Sequence, residues 1–171
     1  DRAERELGAF AAKYPESPRL PEVILRQAQA RYELKRFQAA ADLLALRLPQ
    51  AGALGDQYRF WMGEAHFQRG ALASAADAYA DLVGKSPESP LRLQASYSEA
   101  FARFQLGQID RAVGLLRQAD GVFQRAAAGS PKSDFAVRGQ MLLAEALQRA
   151  GDFAGAAQVL AKLGELGLEP A

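Results

Sequence analysis

Four pairs of small residues, each separated by 12 positions, constrain this chain more than any other feature. They are Ala28 and Ala40, Gly63 and Ala75, Ala100 and Ala112, and Ala144 and Ala156. Two helices approach closely only where neither carries a large side chain. A fixed offset between small positions therefore marks helix pairs that cross after a turn of constant length. An apolar residue stands three positions before each second small residue: Phe37, Leu72, Ile109 and Phe153. It is expected to plug the turn. Two residues earlier stand Gly70, Gly107 and Gly151, where a helix ends in the left-handed conformation that glycine adopts most readily. Lys35 occupies the same place in the first full pair, so that turn is predicted to differ or to carry strain.

Composition points the same way. Roughly a fifth of the 171 residues are alanine, threonine is absent, and valine and isoleucine are scarce. Such a chain favours helices over strands and is read as all-α. At 49% apolar it can build a continuous core. The 21 basic and 20 acidic residues are interspersed, with no basic block of the kind that draws nucleic acid or an anionic membrane. No apolar run approaches the ~20 residues that span a bilayer. Cysteine is absent, which excludes disulfides, cysteine-based zinc sites and thiol catalysis.

The turns between pairs recur as well: Tyr14-Pro15-Glu16-Ser17-Pro18, Ser86-Pro87-Glu88-Ser89-Pro90 and Ser130-Pro131-Lys132-Ser133-Asp134. The first proline stops one helix, and the following serine can cap the next. Leu48-Pro49 is an irregular version. The pattern divides a single domain, residues 1–171, into an orphan second helix at 1–15 and helix pairs at 18–49, 54–87, 89–131 and 133–166, nine helices in all. The third pair is longer: Ala112 to Pro131 spans 19 residues, against 12 from Ala75 to Pro87. Seven extra residues are almost two helical turns, so a longer continuous helix is expected. Asp120-Gly121 is the alternative, a point where that helix breaks.

The segment Trp61-Met62-Gly63-Glu64-Ala65-His66-Phe67, followed by Ala75, Tyr79 and Pro87, resembles the tetratricopeptide repeat family. The likeness extends over the whole chain. Spacings of 37, 35, 37 and 44 between Ala3, Ala40, Ala75, Ala112 and Ala156 lie near the family's period of about 34, the last carrying the insertion. The resemblance implies a right-handed α-α superhelix of about four and a half repeats, in which stacking between neighbours supplies the stability. Trp61 stands two residues before Gly63 rather than four. With the Pro-x-Ser-Pro turns, this looks like the variant in bacterial envelope proteins, the outer-membrane assembly lipoproteins and Tol–Pal coordinators. It implies a periplasmic or outer-membrane-associated protein, with a cytoplasmic one as the alternative. Because the chain starts inside a repeat at Asp1, without a signal segment, it reads as a piece of a longer protein.

First helices line the concave face in this family, and the register assigns a partner-binding surface to them. It comprises Arg26 and Gln29, then Gln57, Phe60, Trp61 and Glu64, then Gln94, Tyr97 and Phe101, then Arg138. Leu25, Tyr32, Phe67, Phe104, Met141, Leu142, Glu145 and Gln148 fall on the same face, with Tyr32, Phe67 and Phe104 as packing candidates. Aromatics interleaved with amides suit a protein or peptide partner. The carboxylate clamp of chaperone-binding members is missing: its five places hold Leu25, Gln29, Trp61, Gln94 and Ser98. One pair later they hold Phe60, Glu64, Ser98, Arg138 and Leu142.

No catalytic, cofactor or metal site is expected. His66 is the only histidine and falls on a packing position, while Glu64, Glu99 and Glu145 recur because the repeat recurs. The expected function is a noncatalytic scaffold for a protein or peptide, within an envelope assembly. A structural spacer, a self-association module and a recruiter in a glycan-export complex are the alternatives.

Overall fold

A computed structural model describes residues 1–167. Those residues form ten α-helices and no strand: α1 (Arg2–Lys13), α2 (Leu20–Glu33), α3 (Phe37–Arg47), α4 (Gly55–Gln68), α5 (Leu72–Lys85), α6 (Arg92–Gln105), α7 (Ile109–Arg117), α8 (Val122–Ala128), α9 (Asp134–Arg149) and α10 (Phe153–Glu165). The all-α expectation is met. The chain divides into two compact units, Asp1–Ser86 and Pro87–Ala171.

The turns inside the pairs explain the fixed offset. Lys35, Gly70, Gly107 and Gly151 have φ of 57°, 79°, 76° and 83°. After each, an amide reaches back five residues to close the helix end: Arg36 to the Arg31 carbonyl, Ala71 to His66, Gln108 to Arg103 and Asp152 to Leu147, at 2.8–3.0 Å. This is a Schellman closure repeated four times. Lys35 is the one non-glycine residue with positive φ among the described residues, so the strain expected of that turn is present. Two of the three inter-pair turns also use their serines, whereas the buried Ser133 hydroxyl has no hydrogen-bond partner among the described residues and does not cap α9. The Ser17 and Ser89 hydroxyls accept the amides of Arg19 and Leu91 at 3.3 and 3.1 Å, holding the chain in a turn before the next helix.

In the first unit, α1 packs on α2, α2 on α3, α3 on α4 and α4 on α5. One apolar cluster joins Ile24, Leu25, Leu44 and Tyr58, and another joins Ala40, Ala41 and Ala65, with Tyr32 and Phe37 against it. The Tyr58 hydroxyl donates to the Pro21 carbonyl at 2.8 Å, and burial pushes its pKa up to about 12. The orphan helix α1 is tied down by Glu4, which accepts from Arg31 at 2.9 Å and Gln27 at 3.3 Å. The Arg31 hydrogen bond leads in lowering the Glu4 pKa.

The second unit has one core, including Phe104, Ala112, Leu116, Phe123, Leu143 and Leu147. Here a continuous second helix in the third pair is corrected. α7 stops at Arg117, Gln118 turns to an extended backbone (φ −60°, ψ 116°), and α8 begins after Gly121. Gly121 is needed because a Cβ there would lie 2.8 Å from the Gln118 carbonyl oxygen. The Gln124 side chain donates to the freed Leu116 carbonyl at 2.5 Å, closing the broken end. Phe123 then seats against Gly139 of α9, where an added Cβ would stand 2.1 Å from the ring. Ala119, within the break, is exposed.

Phe153 is a second correction. It is 71% exposed rather than plugging its turn. Its counterpart Phe37 is covered by Tyr32 and by the alanine cluster that includes Ala65 of the following helix. No described helix follows α10 to do the same for Phe153.

Candidate protein-binding groove

In the first unit the assigned residues fall mostly into a packed aromatic cluster. Tyr32 of α2 meets Trp61 of α4 edge-on at 5.3 Å and Phe37 of α3 at 5.2 Å. Phe60 is corrected: at 8% exposure it is core, 6.1 Å from Tyr79 and 6.2 Å from Trp61 between ring centres. The physical reason is helical register. Phe60 and Gly63 are three residues apart and share a face, and Gly63 lies against the Tyr79 ring. Leu25 is likewise buried, sealed by residues of α4. Trp61, Gln57 and Gln29 are half-buried, while Arg26 is exposed and donates to Gln29 at 3.2 Å.

Glu64 is half-buried and accepts the Tyr79 hydroxyl hydrogen at 2.6 Å. Burial raises its pKa, against the opposing effect of that hydrogen bond. His66 is half-buried with its pKa lowered, first by burial and then by Arg69, whose Nε donates to Nδ1 at 3.3 Å. No cluster of metal-ligating residues occurs among the described residues.

In the second unit, α6 and α9 enclose an open groove of about 500 Å³. Tyr97 and Phe101 form its aromatic wall, stacked at 6.0 Å and 12°. Arg138, Met141, Glu145 and Gln148 of α9 form the facing wall, with Leu160 of α10 at one end. Thus Tyr97, Phe101 and Arg138 come together in one concave site. Gln94 is half-buried outside it, and Phe104 and Leu142 are buried. Phe104 is capped instead by the Arg149 guanidinium, 4.3 Å from the ring centre.

The groove offers both chemical types of contact. Met141 is 38% exposed beside the stacked rings, an adaptable apolar surface. Arg138 is exposed, pairs with Asp134 one turn back at 3.0 Å, a pair of little strength in water, and hydrogen-bonds the Tyr97 side chain. Glu145 pairs in the same way with Arg149 at 2.9 Å. Burial raises the Tyr97 pKa, with Arg138 opposing it. Sequence reasoning missed Phe135, whose ring lies 5.9 Å from Tyr97, and Leu160. Phe135 sits three residues before Arg138, so counting one turn back along α9 would have found it.

The fold and this groove define a tandem helix-pair repeat protein with an aromatic first-helix face. Residues 57–89 match the tetratricopeptide repeat family model, and the chain has the fold of tandem TPR-like repeats. The solved structure of a Podosopora anserina kinesin light chain with nearly identical TPR-like repeats superposes with a TM-score of 0.74 at 23% identity, covering 96% of this chain and 83% of that one. A MamA RS-1 double mutant gives 0.74 at 18% identity, covering 97% and 84%. BtubC from P. vanneervenii gives 0.52 at 18% identity, covering 99% and 91%. No curated protein matches the chain by sequence. Repeats of this family generally act as noncatalytic scaffolds for protein–protein interaction.

Proposed function

We propose that this chain is a noncatalytic interaction scaffold whose second unit holds a peptide segment of a protein partner between α6 and α9. The observation that carries the reading is the convergence of Tyr97, Phe101, Met141, Arg138 and Glu145 on one open groove. Rigid stacked rings supply contact area at little entropic cost, and the two charged side chains orient a bound backbone or its ions. Around Trp61 the rings pack mainly on each other, so the first unit acts chiefly as support, with Arg26, Gln29, Gln57 and Glu64 contributing at its edge. The assembly we favour is one of the bacterial envelope. The support is the position of Trp61 and the Pro-x-Ser-Pro turns shared with that variant of the repeat.

The test uses exposed groove residues, because a charge at buried Phe60 would unfold the helix pair. The protein and its Arg138→Glu/Met141→Glu variant serve as baits in separated envelope and cytosolic extracts, with captured proteins identified by mass spectrometry. An envelope protein held by the parent and lost by the folded variant is expected. Equal capture by both would remove the groove from the interaction and leave a structural spacer. A groove-dependent partner from cytosol alone would remove the envelope setting.

A further inference from the structure

The break between α7 and α8 has a second effect. α8 departs from the line of α7, and a cleft of about 610 Å³ opens between α8 and α10 over α9. Its floor is Ala136, Gln140 and Leu143, a stripe spaced by four and three residues on α9. That stripe lies on the opposite side of α9 from Arg138, Met141 and Glu145. Ala127 and Ala128 of α8 form one wall, and Val159 and Leu163 of α10 form the other.

The polar side chains that line this cleft among the described residues are all cations or amides. Arg117 and Lys162 stand at its margin with Gln124, Gln140 and Gln158, and no carboxylate among the described residues lines it. Arg117 is engaged by Asp152 at 2.9 Å. Lys162 and Gln158, one turn apart on α10, have no side-chain partner among the described residues. Gln140 donates to Gln124 at 3.3 Å, which leaves its own carbonyl oxygen as an acceptor. A lipid chain in this trough would leave the amides unpaired, which is costly, whereas a peptide backbone satisfies them.

We propose that the cleft walled by α8 and α10 is a second docking site, for a short acidic segment of a partner protein. Its apolar side chains settle on Ala136 and Leu143, its backbone meets the glutamine amides, and its carboxylate faces Lys162. The trough between two helices matches the way a short amphipathic segment is held in a groove. The inference is independent of the groove between α6 and α9.

The test is selection of a random dodecapeptide library on the whole protein, with subtraction on a Gln158→Glu/Lys162→Glu variant. Both substitutions are on exposed side chains, so the fold is retained. Enriched peptides should combine acidic and apolar residues and lose about tenfold in affinity for that variant. They should lose as much for Ala128→Trp, which fills the cleft from an exposed position, and should shift the methyl resonances of Leu143, Val159 and Leu163. Failure to enrich such peptides, or equal binding to the variants, would overturn the proposal. So would dodecanoate shifting those methyls where no peptide does, which gives the cleft to a small amphiphile. Shifts confined to Met141 and its neighbours would place the peptide in the α6–α9 groove, overturning this inference while leaving the proposed function standing.

Discussion

The Tyr79 hydroxyl of α5 donates its hydrogen to Glu64 of α4 at 2.6 Å, across the helix crossing that Gly63 keeps open. The ring occupies the space that a Cβ on residue 63 would need, 2.5 Å from its Cε1. One small residue thus admits an aromatic ring, and the ring brings a hydroxyl to a carboxyl that burial has made hard to ionise.

That carboxyl makes stability depend on pH in a defined direction. Burial raises the Glu64 pKa above its ordinary 4.5, so the folded protein holds this proton more tightly than the unfolded chain. Its contribution is complete below the unfolded value and is lost as pH rises through the folded one. Glu64→Gln keeps an acceptor for Tyr79 and removes the titration. The variant is expected to be more stable than the parent near about pH 7 and level with it near about pH 4, measured by urea unfolding at both.

Gly139→Ala should destabilise the second unit. The new Cβ would meet the Phe123 ring at 2.1 Å, and overpacking of this kind costs about 1–3 kcal/mol. Gly114→Ala in α7 is the control, since its Cβ meets nothing within 4 Å. Replacing a helical glycine there should stabilise by about 0.5–1 kcal/mol. Thermal unfolding of the two variants separates the effects.

Lys35→Gly tests the strained turn. An L-residue in the left-handed region costs about 1–2 kcal/mol, offset partly by the greater freedom glycine has in the unfolded chain, about 0.5–1 kcal/mol. The substitution should raise stability by up to about 1 kcal/mol. Gly70→Ala should lower it by a similar amount. Denaturant midpoints for both variants check the opposite signs.

Phe37 and Phe153 hold equivalent positions and should respond differently. Phe37 packs on Tyr32 and the alanine cluster, so Phe37→Ala should cost about 1–3 kcal/mol. Phe153, 71% exposed, should change stability by less than about 0.5 kcal/mol when replaced by alanine. Chemical denaturation of the paired variants distinguishes a repeat position that is covered from one that is bare.

The repeat was legible because its rules are local. Turn glycines, small crossing residues and proline stops each act within a few residues, and the 12-residue offset records them directly. Lys35 could be singled out because the other three turns placed glycine there. What sequence reasoning misassigned depends on neighbours further along the chain. Phe60 and Trp61 are adjacent in sequence, but only Phe60 shares the Gly63 face, so one is core and the other half-buried. Phe153 repeats the pattern of Phe37 yet lacks a following described helix to cover it. A break at Asp120-Gly121 is the second reading the sequence allows, because an insertion of almost two turns preserves helical facing whether or not the helix continues. The helix leaves its line two residues earlier, at Gln118. Tyr97, Phe101 and Arg138 were legible as one face, whereas the cleft over Ala136 and Leu143 could not be seen without the break.

That break also makes α8 a place where the second unit should open easily. α8 has seven residues, too few to persist by its own hydrogen bonds, and it is anchored by Phe123 and Ala127 alone among fully buried side chains. Its amides should therefore exchange with solvent through local opening, well before those of the 16-residue α9. A segment that detaches at low cost while its neighbours stay folded gives this otherwise regular array one element that can re-form around whatever it holds.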